Sequence, residues 1–569
     1  MKRIGFTNFR RFADFPEMDF NGVTLLVGGN NSGKSTLVKA ILLCADNLKI
    51  LQNLKSDYIE HAVPVFRFDG NEWHDVKIKT FGRALNYNAE EHKITFSFKI
   101  SGFTIELSVV GEKGSDDATG LISRISIEEN VTKLRVCIDY QRDVMSLDLH
   151  IEDMSKNIAE MMLFSISQMR KEIESEDDFS KTADLSSRLD NILQNLDEML
   201  GLNDVDHDTF NYETAINEFF SSHPLKGYSG SLELPREEYP DVDNGNLFLH
   251  IVNNFICAGT KLGQGTSEED GTEKTLDDEK NEEEEQEGSN DNQMEEDDDD
   301  REEELNTEEE ARKLLMTEFE VMSSFKVYLA RALANVDIEY ISAHSVNQNT
   351  IYNTSDRNDY IAQVVHEFYQ CKVSAGEREN LFIKKYMKLF GIGSDYRISL
   401  IDGEAYRVKI TTFDGLEVNM ADLGMGSIQL MVLLFKLATI ISEHKHVRLN
   451  EESVMPTILI EEPEQNLHPD NQSLLADLFR EMYEDYGCNL IVETHSEYLV
   501  RRTQVIVKDC GFASEKEADE ASPFNVYFFN KGDSEVPYYK MKYRPDGCFA
   551  NDFGEGFMDI AEKLAFEII

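Results

Sequence analysis

The sequence contains no C-x-x-C pair, and its seven cysteines (Cys44, Cys137, Cys257, Cys371, Cys488, Cys510, Cys548) are scattered. That spacing argues against a disulfide framework or a zinc site and suits a reducing compartment. The opening residues, MKRIGFTNFRRF, lack the apolar run of a signal peptide. No stretch is read as approaching the 18 or more apolar residues of a membrane span. Together these absences predict a cytoplasmic protein with no membrane partner. Positive charge is also scarce, with 56 Lys and Arg against 108 Asp and Glu, a net charge of −52. An acidic surface repels phosphate backbones, so passive nucleic-acid binding is not the expected activity, although a local basic groove for DNA remains compatible with these totals.

The acid is unevenly spread. Between Ser267 and Glu310 there are 25 acidic residues against three basic ones. Almost nothing from 264 to 310 can be buried, so its composition predicts disorder, either as a solvated linker or as a regulatory or nucleic-acid-mimicking loop. Before it, HKITFSFKISGFTIELSVV alternates with period two, as an antiparallel sheet does. From about Asp153 the period becomes helical, through Met154, Ile158, Met161, Ile166, Met169 and Ile173, then Leu185, Leu189, Ile192 and Leu196. A further helix is predicted over 307–335, with Leu314, Leu315, Phe319, Met322, Phe325, Leu329 and Leu333 on its buried side. The expected organisation is an N-terminal lobe (1–145), a helical insertion (146–335) carrying the acidic loop, and a C-terminal lobe (336–569).

Four motifs carry chemistry. GGNNSGKST (Gly28–Thr36) fits G-x-x-x-x-G-K-[ST] and lies between a predicted strand, TLLVGG, and a predicted helix. There Asn30, Asn31, Ser32, Gly33 and Thr36 would line a phosphate cradle of backbone amides. Lys34 would reach the β- and γ-phosphates of ATP, and the Ser35 hydroxyl would ligate Mg²⁺. TILIEEPEQNLHP (Thr457–Pro469) is an apolar strand ending in two carboxylates. Glu461 would support the metal and Glu462 would take a proton from the attacking water. YGCNLIVETHSEYLVRR is another buried strand, and His495 beyond it would contact the γ-phosphate or position water. MADLGMGSIQ, before a strongly apolar helix, would turn the amides beside Gly424 and Gly426 toward an anion.

The order of these motifs resembles the ABC-type P-loop ATPases of the SMC, RecF and OLD-like branch. The tail resembles stand-alone AAA-family ATPases, many of which occur in bacterial anti-phage defence systems. The resemblance implies an α/β ABC-ATPase-type P-loop fold, a mixed sheet with flanking helices plus an antiparallel part, interrupted by a helical insertion. It implies a homodimer or higher homo-oligomer in which the signature segment of one copy, Gly424, Gly426 and Ser427, caps the nucleotide held by the other. NFRRF (Asn8–Phe12) is similar to the opening strand and turn of that branch, which brings Arg10 or Arg11 to the nucleotide. No glutamine stands in Phe81–Asn86, where a glutamine loop would fall. Some 70 residues follow His495, too few for the nuclease domain of OLD-type proteins, so no intrinsic nuclease is expected. The function implied is an ATP-hydrolysing switch acting with a separate effector, a nuclease or toxin. The alternatives are a nucleotide-gated scaffold with little turnover and a RecF-like DNA repair ATPase.

Overall fold

The computed structural model describes residues 2–52, 65–69, 78–151 with short breaks, 212–222, 228–235, 338–342, 349–444 apart from two positions, 456–531 and 536–554, with isolated positions elsewhere. The chain opens with β1 (Arg3–Phe9), β2 (Phe12–Asp19), β3 (Val23–Gly28), α1 (Lys34–Gln52), β4 (Val65–Arg67) and the short α2 (Phe81–Ala84). Then come β5 (Lys93–Ile100), β6 (Phe103–Val110), β7 (Thr119–Glu129), β8 (Arg135–Tyr140), β9 (Val144–Ile151), α3 (Tyr212–Ser222) and β10 (Tyr228–Pro235). All these strands except β3 form one antiparallel sheet in the order β10-β9-β8-β7-β6-β5-β1-β2, with β4 beside β7. In β5, Ile94, Phe96, Phe98 and Ile100 are buried and their neighbours are half-exposed, the signature of a sheet with one covered face. The covered face is rich in rings: Phe6 stacks on Phe15 at 4.5 Å and Phe66 on Phe96 at 5.4 Å.

The second half supplies β11 (Ile338–Ile341), β12 (Tyr352–Asn353), α4 (Tyr360–Gln370), α5 (Arg378–Leu389), β13 (Asp395–Ile401), β14 (Ala405–Thr411) and β15 (Glu417–Asn419). It continues through α6 (Met425–Glu443), β16 (Thr457–Glu461), α7 (Pro469–Glu484), β17 (Asn489–Glu493), α8 (Glu497–Cys510), α9 (Glu515–Glu520), β18 (Phe524–Phe529) and β19 (Tyr538–Met541). A six-stranded sheet runs β11-β16-β17-β3-β18-β19, its first five strands parallel and β19 antiparallel. Strand β3, from the start of the chain, thus sits inside a sheet otherwise built by the second half. One face of this sheet (Leu26, Leu459, Ile491, Phe529) joins α1 and the aromatic core of the antiparallel sheet. The other (Val23, Leu25, Ile458, Ile460, Leu490, Val492) packs against helices α4 to α8. Both faces are covered, so β3 reads as an unbroken buried run. A smaller sheet, β12-β14-β13 with β15 on β14, flanks the helices.

Several expectations need adjustment. β9 and β10 extend the antiparallel sheet across and beyond residue 145, inside the stretch read as helical. Of the predicted helical face, Ile166, Leu189, Ile192 and Leu196 are buried in a separate small core with Tyr212, Ile216 and Phe220. Met154, Ile158, Met161, Met169 and Leu185 lie outside the described residues, as do residues 264–310 and Leu314, Leu315, Phe319, Met322 and Phe325. Leu329 and Leu333 are buried. The reading of apolar runs is corrected at α6, which is long and apolar enough to cross a membrane. Most of α6 is buried inside the fold, because it is a core helix of the second lobe.

Candidate functional site

Three neighbouring parallel strands end at one edge of the six-stranded sheet. Glu461 closes β16, Glu493 closes β17, and the two are register partners; Glu493 in turn pairs with Leu26 of β3, which runs on to Gly28. The carboxyl ends of parallel strands are where loops and helix N-termini converge on a ligand. Here the loop 28–33 leads into α1 at Lys34.

Gly33 has φ +114°, and a Cβ there would lie 2.3 Å from Cζ of Phe12. Only glycine tolerates both the backbone and the ring. This contact seats the β1–β2 turn on the loop. Arg11 Cδ would be 3.1 Å from the same Cβ, and its guanidinium donates to the Lys531 carbonyl at 3.3 Å. Arg10, the other arginine that the sequence offers, has φ +52°, its amide donates to Ala84 O, and its carbonyl accepts from Asn86 Nδ2 at 2.7 Å. Burial, and secondarily Arg83, lowers the Arg10 pKa. Arg11 is therefore the arginine packed against the glycine-rich loop.

Asn30 and Asn31 are exposed, and Asn31 has φ +60°. Ser32 Oγ is buried without a hydrogen-bond partner, and the Thr36 amide donates to Gly33 O at 2.9 Å as the helix begins. Lys34 is buried, and its Nζ donates to Gly28 O at 2.9 Å and Gly29 O at 3.2 Å. Burial lowers its pKa, opposed by Glu493, Glu462 and Glu464. Ser35 Oγ donates to Glu493 Oε1 at 3.0 Å, and Lys34 Nζ lies 4.0 Å from that same oxygen.

The carboxylates are differently held. Glu461 accepts the Tyr340 hydroxyl at 2.7 Å. Glu462, just past the strand, has φ +43° while its amide donates to Glu493 O at 2.7 Å. That left-handed backbone is strained for a non-glycine residue. Its carboxylate accepts from Gln465 Nε2 and faces His495 Nε2 at 3.6 Å. Burial, then Lys34, lowers the His495 pKa against the pull of Glu462, which favours the neutral ring. The His495 amide donates to buried Glu464, whose pKa burial raises. Glu493 is pushed up to about 7 by burial, with Lys34 acting against the shift and Glu461 adding to it.

The signature segment lies on a different loop. Gly424 caps α6 with no side-chain hydrogen bond, is exposed, and has open space where a Cβ would stand. At Gly426 a Cβ would meet Asn466 O at 2.5 Å, so α6 begins pressed against the turn after β16. Asn466 (φ +58°) also donates to Gln429 at 3.1 Å. The Ser427 amide donates to Gly424 O at 2.9 Å.

Lys34, Ser35, Glu462 and His495 are thus linked through Glu493 and Glu464, two carboxylates that the sequence reading passed over, as it did Tyr340. The signal for Glu493 was present: it ends an apolar strand as Glu461 does. Magnesium suits a hydroxyl, one or two carboxylates and phosphate oxygens. The buried, unpartnered Glu493 Oε2 beside Ser35, with Glu461 in the same row, fits such an ion. Among the described residues no group of three or more His, Cys, Asp or Glu is arranged to hold a metal unaided.

The sequence model of a family described as "AAA ATPase domain" matches residues 1–500. No curated protein matches the chain in sequence. Among solved structures, it is similar to the Smc head domain with an extended coiled coil bound to the C-terminal domain of ScpA from Pyrococcus furiosus, at 9% identity and a TM-score of 0.30, covering 100% of this chain and 98% of that one. It is likewise similar to the SMC head domain of Thermotoga maritima, at 10% identity and a TM-score of 0.30, covering 95% and 98%.

Proposed function

The chain belongs to the AAA ATPase domain family, and from that premise we propose that it is an ABC-type switch that binds and hydrolyses ATP as a head-to-tail homodimer. The observation that carries this reading is the row of strand ends, Glu461, Glu493 and the Gly28 loop, set beside Lys34 with Glu462 and His495 facing one another. On nucleotide binding, Lys34 exchanges its two loop carbonyls for β- and γ-phosphate oxygens. The loop amides and the start of α1 take the remaining phosphate charge. Glu462, anchored by Gln465, accepts the proton of the attacking water. His495, kept neutral by burial, orients that water or the γ-phosphate. Ser35 and Glu461 would hold magnesium, which when bound offsets negative charge on the phosphates. The start of α6 supports the head-to-tail arrangement, since Gly424 is exposed and the helix N-terminus carries no side-chain cap.

The output of the switch, in this reading, is a separate protein effector, a nuclease or toxin, within an anti-phage defence system. The support here is the likeness of the motifs and tail to defence ATPases. Co-expression with a neighbouring effector gene should then restrict phage plating where neither gene alone does, and full protection by this chain alone would refute the partner.

The decisive experiment is biochemical. Lys34→Ala should abolish ATP binding measured by titration calorimetry. Glu462→Gln should keep binding, lose about 10²–10⁴-fold in turnover and accumulate an ATP-dependent dimer on size exclusion. Unchanged affinity in the first variant, or unchanged turnover in the second, would overturn the assignment.

A further inference from the structure

Glu493 does not fit the role of a plain core residue. Its side chain is only 5% exposed, yet one carboxylate oxygen has no hydrogen-bond donor. Lys34, the cation nearest to it, stands 4.0 Å away from the other oxygen, beyond hydrogen-bond reach, and spends its own hydrogens on Gly28 and Gly29. A buried carboxylate left half-satisfied costs free energy that an apolar residue at this strand end would avoid. Something absent from the protein's own contacts has to complete it.

The neighbours identify that group. Glu493 Oε1 accepts the hydrogen bond of the Ser35 hydroxyl, so the lone pairs of the Ser35 oxygen are turned away from Glu493. Across the sheet the register partner is Glu461, fixed by Tyr340. A hydroxyl with its proton held back and two carboxylates in one row form an oxygen-lined half-shell, which suits a hard divalent cation that keeps some of its own water. Resting on the nucleotide reading above, we infer that Glu493 is an orienting carboxylate of the magnesium site: Oε1 retains the Ser35 proton so that Ser35 can ligate the ion, and Oε2 accepts from a water in the ion's shell. Glu493 is then a positioning residue. It governs how tightly the cation is held with the nucleotide and not how the phosphates are gripped.

Glu493→Gln separates these roles. Glutamine keeps the shape and an oxygen for the Ser35 proton, but it places an amide donor where the metal-bound water needs an acceptor. ATP binding by calorimetry in EDTA is expected to match the wild type. The magnesium concentration that half-saturates ATP binding is expected to rise about 10–100-fold, the usual cost of losing an outer carboxylate. Glu493→Asp, which keeps the charge, should fall between the two. Melting curves of all variants report whether they fold. An unchanged magnesium requirement in Glu493→Gln, or a loss of binding in EDTA as well, overturns the inference. Lys34→Ala provides the other control, because it should lose binding with and without magnesium. If wild type and Lys34→Ala bind ATP alike, the nucleotide reading itself fails and this assignment falls with it.

Discussion

The two large sheets bury their apolar residues by different means. In the antiparallel sheet the strands alternate, as in β5, and cohesion comes from rings that stack across strands, Phe66 on Phe96 and Phe6 on Phe15. In the mostly parallel sheet the central strands are buried on both faces, as in β3, and the carboxylates of β16 and β17 stand at the strand ends. A doubly covered strand has no solvent side on which to place a carboxylate, so Glu461 and Glu493 collect at one edge and face the glycine-rich loop. The alternating sheet carries its polar groups along its more open face, as Arg3, Glu17, Asp19 and Ser97 do. The lesson is that chemistry concentrates where burial on both faces leaves polar groups only one exit.

Four perturbations break or sharpen this contrast. Gly33→Val attacks the join between the sheets, since any Cβ there meets Phe12 at φ +114°. A stability loss of about 2–6 kcal/mol is expected from backbone strain plus overpacking, together with loss of ATP binding. A variant that binds ATP normally would refute the join. Phe96→Ala removes a fully buried ring from the antiparallel core, at a cost of about 3–5 kcal/mol in chemical denaturation. Its ATP affinity should stay at the wild-type value, and a parallel fall in affinity would show that the two sheets are not separable in this sense. Tyr340→Phe deletes one hydrogen bond to Glu461. Burial, then Glu461, holds that hydroxyl well above its usual pKa, so it remains a donor at neutral pH. Turnover should fall roughly 2–10-fold, equivalent to about 0.5–1.5 kcal/mol, with melting temperature nearly unchanged. The smallest effect belongs to the acidic stretch. Replacing residues 264–310 with a short Gly/Ser linker should leave the melting temperature and basal ATPase rate intact, and insoluble expression would count against the reading of its composition.

Local elements around the site were legible. The apolar run at 24–29 lies one residue from β3, and the expected helix follows it as α1, because a glycine-rich turn punctuates the chain between them. The strand at 457–461 was equally plain, and its terminal carboxylates announced themselves. Strand neighbours were not legible: a continuous apolar run states that β3 is buried without stating that β17 and β18 flank it. The boundary at 145 was missed for a related reason. The helical period after 153 masks the return of the chain to the same sheet at β10. Tyr340 left no local trace, since its importance comes wholly from β11 lying beside β16. The role of Glu493 was not legible because it comes from Ser35, 458 residues away in the chain, lying beside it.

The position of β3 also has a consequence for biosynthesis. Gly22, at the foot of that strand, is bonded to Asn489, 467 residues further along the chain. At ordinary translation rates a ribosome needs roughly 20–90 s to make that stretch. For most of that time the glycine-rich loop waits with neither flanking strand to shape it. The antiparallel sheet can assemble early from nearby hairpins, whereas the pocket proposed for ATP is a late product of translation. A nascent chain halted before β17 has no such pocket, and the exposed edges of β3 are an obvious surface for chaperones to guard until the last strands arrive.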